Sequence, residues 1–284
     1  MIWDDQKIVV ATISAVVSVI TVLLSFLLKS LYERHFHIFK LYSAHNYEQK
    51  KRIKEVVAKN KIQLLDAAES LNHRLWNLRE NHENNWHKLD NLNSLSEHYY
   101  LSSFAYRLLY FMAWVRKTEK EMIFLDGTIA EKEDISFVKY LKIFPQILCD
   151  VRLFDGLDYN KEFAKDHFFK DDLLHACECF VTSGEVISFS EYKNDENGAQ
   201  HTSLPIVDFV NGISPTENRL RWERLQALHV VLMMFLNGYG YDYQHTSTSQ
   251  FEGFSCRITD NLKRMLERYR MTSERSIKNV LNVL

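Results

Sequence analysis

The stretch that decides the fold is IVVATISAVVSVITVLLSFLL, residues 8–28. It is 21 residues long and contains no charged side chain. A helix rises about 1.5 Å per residue, so this segment covers about 30 Å, the thickness of the hydrocarbon core of a bilayer. Backbone polar groups cannot stay unpaired in lipid. We therefore predict a single transmembrane helix, in spite of the many β-branched residues.

A cleaved signal peptide is the alternative for this segment. It would have a basic amino-terminal region, a shorter apolar run and a cleavage site of small residues. Here Asp4 and Asp5 outnumber Lys7 before the segment, and Lys29-Ser-Leu-Tyr-Glu-Arg follows it without a small-x-small site. The sequence thus favours an uncleaved anchor.

The charges after the anchor predict its orientation. Residues 29–61 contain nine Lys or Arg and three Glu, a local charge of +6. The positive-inside rule then places residues 1–7 outside and the body in the cytoplasm, which for a bacterial protein means the inner membrane. This basic juxtamembrane segment either contacts anionic lipid or forms a solvated helical stalk, and both interpretations stay open.

The rest of the chain is acidic. The total charge is −2, and residues 1–28 carry −1 and residues 29–61 carry +6, so residues 62–284 carry −7. An acidic body is unsuited to a polyanion, so nucleic acid is not expected as a partner. Membrane lipid, and either a protein partner or self-association, are the expected interactions.

Composition and periodicity predict an all-α body. Only 8 Gly and 3 Pro occur in 284 residues, too few for the turns of an all-β fold. Apolar residues recur at steps of three and four between Ile53 and Leu78. With no Pro- or Gly-rich linker, we predict one cytosolic multi-helix domain over residues 62–284. The 4 Cys make no disulfide framework, so reduced thiols are expected.

Local signals predict where the other helices begin and end. The capping box Ser94–Glu97 would open a helix that ends near Asp126-Gly127, and Asp134 would cap one that runs to about Val151 with a kink or break at Pro145. Further helices are predicted over Lys161–Thr182, from Ser214-Pro-Thr-Glu217 to a left-handed stop at Gly238, over Ser255–Arg270 and over Ser273–Leu284. Between Gly184 and Pro205, the alternation Val186–Tyr192 is typical of a strand, which leaves room for one small β-hairpin.

The sequence lacks the common catalytic and phosphate-binding motifs, G-x-x-x-x-G-K-[ST], G-x-G-x-x-G, G-x-S-x-G and H-E-x-x-H. One arrangement could bind a metal: His167, Asp171, His175 and Cys179 recur every four residues, on one face of a helix. Such a ladder is about 18 Å long, so one ion could contact only two of its members. Packing and hydrogen bonding are the favoured interpretation, a metal site is the alternative, and no cofactor is predicted.

Four polar residues interrupt apolar helix faces. Arg74 and Asn77 lie among Leu71, Leu75 and Leu78, and Arg224 and Gln226 interrupt the helix that continues to Leu236. A polar group on such a face must be paired if it is buried. Ion pairs or hydrogen bonds that fix the helix register are the favoured interpretation, and a binding pocket is the alternative.

Small residues repeat every four positions within the anchor, at Ala11 and Ala15 and at Ser14 and Ser18. This spacing permits two helices to approach closely in a membrane. It makes self-association through the anchor a hypothesis.

Three segments resemble a family of uncharacterised bacterial single-pass membrane proteins. The stretch from Leu64 to Leu78 is similar to its L-x-x-A-A-x-x-L-x-x-R-L-x-N helix, Ser103–Arg116 to its helix with Tyr and Trp, and the third begins at Arg224. The chain departs from the family's pattern at His167–Phe180. The resemblance implies a membrane location and a helical build, and it implies no activity.

The leading hypothesis is a non-enzymatic, membrane-anchored helical protein that binds a partner or senses a signal. Small anchored proteins of this kind occur in bacterial stress and phage-defence systems. The link to such systems rests only on a similar architecture. A membrane-perturbing effector acting through the anchor is the first alternative, and a metal-dependent enzyme is the second.

The anchor predicts how the full-length protein fractionates. It should sediment with membranes and stay there in an alkaline carbonate wash, because 21 apolar residues in lipid are not released by removing ionic contacts. Cell fractionation with amino-terminal sequencing measures this. Full-length protein in the soluble fraction, or a protein that has lost residues 1–28, would contradict the prediction.

Overall fold

Helices dominate the computed structural model, with 77% of residues against 2% in strands, so the all-α prediction is confirmed. The structure describes residues 2–90, 98–122, 130–160, 165–195, 198–254, 257–272 and 275–284. The helices are α1 Ile2–Asn81, α2 Tyr99–Met122, α3 Lys132–Cys149, α4 Lys170–Cys179, α5 Phe189–Asn194, α6 Ala199–Thr202, α7 Leu204–Val210, α8 Arg221–Tyr239, α9 Thr248–Phe251, α10 Thr259–Arg268 and α11 Arg275–Leu281. The strands are β1 Val181–Thr182 and β2 Glu185–Val186.

Contacts divide the chain into two units, Met1–Arg52 and Ile53–Leu284. The amino-terminal unit is the first part of α1, and every side chain of residues 8–28 is exposed. This helix is long and apolar enough to span a membrane. The Thr12 and Ser18 hydroxyls donate to the carbonyls of Ile8 and Ser14, at 2.6 and 2.8 Å, so these polar groups are satisfied inside the helix, as lipid requires.

The second unit, which we call the folded unit, begins at Ile53, nine residues before the predicted boundary at residue 62. Ile53 is buried, and so is Asn60, whose amide donates to Glu121 of α2 at 2.9 Å. Part of the predicted basic stalk therefore packs against the folded unit.

Helix α8 lies at the centre of the folded unit. Its residues from Glu223 to Leu236 are all buried. A helix that is apolar on nearly every side belongs in the interior. It packs against α3, and α3 packs against α2, with the rings of Phe111, Phe144 and Phe235 in edge-on contact between them.

A hairpin is present as predicted, but Val186 is the one residue of its strands that belongs to the predicted strand. Strands β1 and β2 pair through Val181 and Val186, and Ser183 and Gly184 between them have φ of 54° and 84°, as a tight hairpin turn requires. The strand prediction for Val186–Tyr192 is wrong beyond Val186, because Ser188 and Glu191 form a capping box that begins α5. The same seven residues contain both an alternating pattern and an S-x-x-E capping box, and the capping box determines the local structure.

The predicted start of α8 at Ser214 is also wrong, since the helix begins at Arg221. The Glu217 carboxylate accepts from Nε and Nη2 of Arg221, at 2.8 and 2.7 Å. Arg221 Nη1 in turn donates to three carbonyls at the end of α7, those of Asp208, Phe209 and Asn211. Glu217 thus positions an arginine that caps another helix.

Other predicted helix boundaries also differ from those in the structure. Asp134 lies in the first turn of α3, which begins at Lys132, and the helix continues through Pro145 to Cys149. Of the predicted helix Lys161–Thr182, residues 161–164 lie outside the described residues, and the part from 165 to 182 is helical over α4. Gly238 lies inside α8, which ends in an extended conformation at Gly240 and not in a left-handed stop. Residues 94–97, 126–127, 255 and 273 lie outside the described residues.

Arg224 of α8 is completely buried and joins three segments. Its guanidinium donates to the carbonyls of Asp166 at 2.6 Å, of Ile147, and of Asp150 at 3.3 Å, and it lies 4.3 Å from the ring centre of Phe154. Burial lowers its pKa to about 10, so the side chain remains charged at neutral pH. It caps the carbonyl end of α3, where positive charge is favourable.

Substituting Arg224→Ala should lower the free energy of unfolding by about 3–5 kcal/mol, because buried carbonyls lose their donors and a cavity remains. The matched control is Arg152→Ala, which removes an exposed arginine paired with Asp150 and should cost under about 1 kcal/mol. Urea unfolding of the two full-length variants in detergent measures the difference. Equal losses in the two variants would contradict a capping role for Arg224.

Candidate functional site: cavities lined by cations

Among the cavities formed by the described residues of the folded unit, three have volumes of 350–650 Å³ and are lined by Arg or Lys. We name each by one lining residue. The Arg79 cavity has about 650 Å³, the Lys120 cavity about 390 Å³ and the Arg74 cavity about 350 Å³. The acidic body thus contains local groups of cationic side chains.

The structure separates the four polar residues that the sequence singled out. Arg74 and Asn77 line the Arg74 cavity, and Gln226 lines the Arg79 cavity. Arg224 does not line any of the three cavities, and its partners are those of a register-fixing residue. The tertiary structure adds Arg107 and Tyr100 to the Arg74 cavity, which sequence spacing could not show because they lie on α2.

The Arg79 cavity is the largest of the three, and its two arginines already have hydrogen-bond partners. Arg79 Nη1 donates to Gln226 Oε1 at 2.5 Å, its Nη2 donates to the Gly253 carbonyl, and the guanidinium stacks on Phe254 at 3.9 Å. The buried Glu223 accepts from Arg257 Nε at 2.9 Å. A ligand here would have to displace existing hydrogen bonds.

His229 lies in the core close to this cavity, with its ring edge-on to Trp76 and Phe254, each 4.9 Å away. Its Nε2 is 3.0 Å from Asn72 Oδ1, and its Nδ1 has no partner among the described residues. Burial, with a smaller contribution from the positive charge of Arg79, lowers the pKa of His229 to about 3. The imidazole is therefore neutral and donates from Nε2.

The Lys120 cavity is also balanced by acidic residues. Glu178 lies 2.6 Å from Lys120 Nζ and 3.9 Å from Arg116, and Glu121 pairs with Lys59 at 3.2 Å. Burial raises the pKa of the Cys177 thiol to about 12, so no thiolate forms here at neutral pH.

The Arg74 cavity differs, because its described lining residues include two arginines and no acidic side chain. It is lined by His73, Arg74, Asn77, Trp86, Tyr99, Tyr100 and Arg107. Arg74 Nη2 donates to Ser103 Oγ at 2.8 Å, and the guanidinium lies 4.4 Å from the ring centre of Tyr100. Burial raises the pKa of Tyr100, so its hydroxyl stays neutral and does not balance the arginines.

The metal-ligand ladder does not share one helix face. His167 lies before the start of α4, and its Nδ1 is 2.5 Å from the Tyr159 hydroxyl. Asp171, His175 and Cys179 lie on α4, where Cys179 Sγ is 3.8 Å from His175 Nε2. Among the described residues, no group of three or more His, Cys, Asp or Glu side chains could hold a metal ion.

Comparison with known proteins gives no match, whether to a protein-family model, to a curated protein or to a solved structure. The resemblance to a bacterial single-pass family therefore stays a prediction from the sequence. Arguments about function depend on the geometry of the chain itself.

The pKa of His229 predicts a pH dependence of stability. Below the unfolded pKa of about 6.5, the unfolded chain binds a proton that the folded chain excludes until about pH 3, so stability falls as the pH falls through this range. From pH 7 to pH 5 this group should cost roughly 2 kcal/mol. Urea unfolding of the wild type and His229→Gln at both pH values measures it. An equal loss in the two proteins would contradict the assignment.

Proposed function

We propose that this is a non-enzymatic, membrane-anchored helical protein of the bacterial inner membrane that binds a partner or senses a signal in the cytoplasm. A role in a stress or phage-defence system is part of the same proposal and rests on analogy of build. Residues 8–28 would be the anchor, and the folded unit would carry the recognition surfaces.

The observation that carries the proposal is that every residue from 8 to 28 is exposed. An uninterrupted apolar helix that no other part of its unit covers needs an apolar environment, and the bilayer supplies one. The basic residues that follow it favour the cytoplasmic side for the folded unit. Anionic lipid would add about 1 kcal/mol for each basic residue near the surface.

The Arg74 cavity supports recognition of an anionic group. Its described lining residues include Arg74 and Arg107 and no Asp or Glu. A small ligand or an acidic segment of a partner would find complementary charge there.

A membrane-perturbing effector is the second candidate, and one observation favours it. Ala11, Ala15, Ser14 and Ser18 are all exposed on the anchor, at a spacing that suits helix–helix contact in lipid. Overexpression would then depolarise cells, and Ala15→Leu with Ser18→Leu would relieve this. Cells that keep their membrane potential during overexpression would exclude the effector.

Recovery of a partner tests the leading proposal. Affinity purification of the tagged full-length chain from a detergent extract should yield a stoichiometric partner or an oligomer. The Ala15→Leu/Ser18→Leu variant should keep a partner bound by the folded unit and should lose an oligomer formed by the anchor, because leucine prevents close approach of the helices. An unrelated single-pass protein with the same tag is the control, and recovery no higher than with this control would count against the proposal.

A further inference from the structure

We infer that the Arg74 cavity is a binding site for a nucleoside monophosphate, with the phosphate between Arg74 and Arg107 and the base against Trp86 and Tyr99. The inference names a ligand class for the recognition role proposed above and rests on that role. It is argued from the charges, the aromatic rings and the volume of this one cavity.

The first argument is the unbalanced charge of Arg74. The residue is only 7% exposed, and its hydrogen bond to Ser103 and its stacking on Tyr100 provide no negative charge. Its Nε has no hydrogen-bond partner among the described residues. No acidic side chain lines the cavity among the described residues. A buried cation without a counter-charge is costly, so an anion bound here would stabilise the fold as well as the complex.

The second argument is the nearby Arg107 of α2. It is half-buried, and Nη1 donates to the Ser70 carbonyl of α1 at 3.3 Å. Burial lowers its pKa, and the positive charge of Arg74 lowers it further. Two guanidinium groups that repel each other across a cavity are matched by one dianion, and their planar donor sets suit the oxygens of a phosphate.

The third argument is the aromatic lining. Trp86 and Tyr99 are 51% and 61% exposed, so much of each ring is open to a ligand, whereas Tyr100 is already covered by Arg74. Flat heteroaromatic rings stack on such side chains. Asn77 Oδ1 is a buried acceptor without a partner among the described residues, and the amino group of an adenine could donate to it.

The volume of the Arg74 cavity limits the size of the ligand, and the charges of the other two cavities make them less suitable sites. A volume of about 350 Å³ is near the lower end for small-molecule sites, which suits a single nucleotide. The Arg79 and Lys120 cavities are larger, but both contain acidic side chains, since Glu223 pairs with Arg257 in the first and Glu178 with Lys120 in the second. Arginine side chains would hold the phosphate, so no glycine-rich phosphate loop is needed.

Titration of the full-length protein in detergent with AMP tests the inference. Ribose 5-phosphate, adenosine and inorganic phosphate are the comparison probes, and isothermal calorimetry is the measurement. AMP should bind at least about ten-fold more tightly than each of the others, because only AMP engages both the arginines and the aromatic rings. No binding of AMP at millimolar concentration, or equal binding of ribose 5-phosphate or adenosine, would overturn the inference.

Variants then locate the site. Arg107→Gln and Trp86→Ala should each weaken AMP binding by about ten-fold or more, and Trp86→Phe should restore most of the affinity. Lys120→Gln, which removes a cation from another cavity, is the matched control and should leave binding unchanged. Circular dichroism confirms that each variant is folded. Equal affinity of Arg107→Gln and the wild type would overturn the placement.

The outcomes separate this inference from the proposed function. If the protein stays in the membrane and recovers a partner but does not bind AMP, the proposed function is supported and the inferred ligand is wrong. If the protein binds AMP through Arg107 but fractionates as soluble and recovers no partner, the binding site is supported and the membrane-anchored role is wrong.

Discussion

The stability of the folded unit depends on hydrogen bonds to the buried backbone carbonyls at the ends of its helices. Arg224 supplies donors to carbonyls around the end of α3, and Arg221 does the same at the end of α7. Asp166 caps the start of α8, since its carboxylate accepts from the Leu220 amide at 3.0 Å, just before the helix begins. Central helix α8 is thus fixed by charged side chains at its first turns and by apolar packing along the rest of its length.

This arrangement separates two kinds of buried arginine. Arg224 has carbonyl partners for its donors, so its charge serves the fold and is not available to a ligand. Arg74 has a serine hydroxyl and an aromatic ring, neither of which carries charge. Both residues look the same in the sequence, as an arginine on an apolar face, and only their partners distinguish the structural role of Arg224 from the binding role that we infer for Arg74.

The helix starts show how far local signals extend. Helix α1 ends at Asn81, within the polar run Asn81–Asn85, because turn-forming residues end a helix without help from other segments. The start at Ser214 failed although Ser, Pro and Glu stand in the favoured order, because Glu217 pairs with Arg221. The strand predicted over Val186–Tyr192 does not continue beyond Val186, because the capping box of Ser188 and Glu191 begins a helix.

The sequence by itself determined the apolar helix of residues 8–28 and the all-α class, because length, hydropathy and the scarcity of Gly and Pro act locally along the chain. It also identified Arg74, Asn77, Arg224 and Gln226 as polar residues that need partners. Only the tertiary structure decided which partners they have, since Arg107, Ser103 and Tyr100 come from α2, about 30 residues later. Whether a buried charge is balanced depends on the residues that surround it in space, and the spacing of residues along one helix does not show which residues those are.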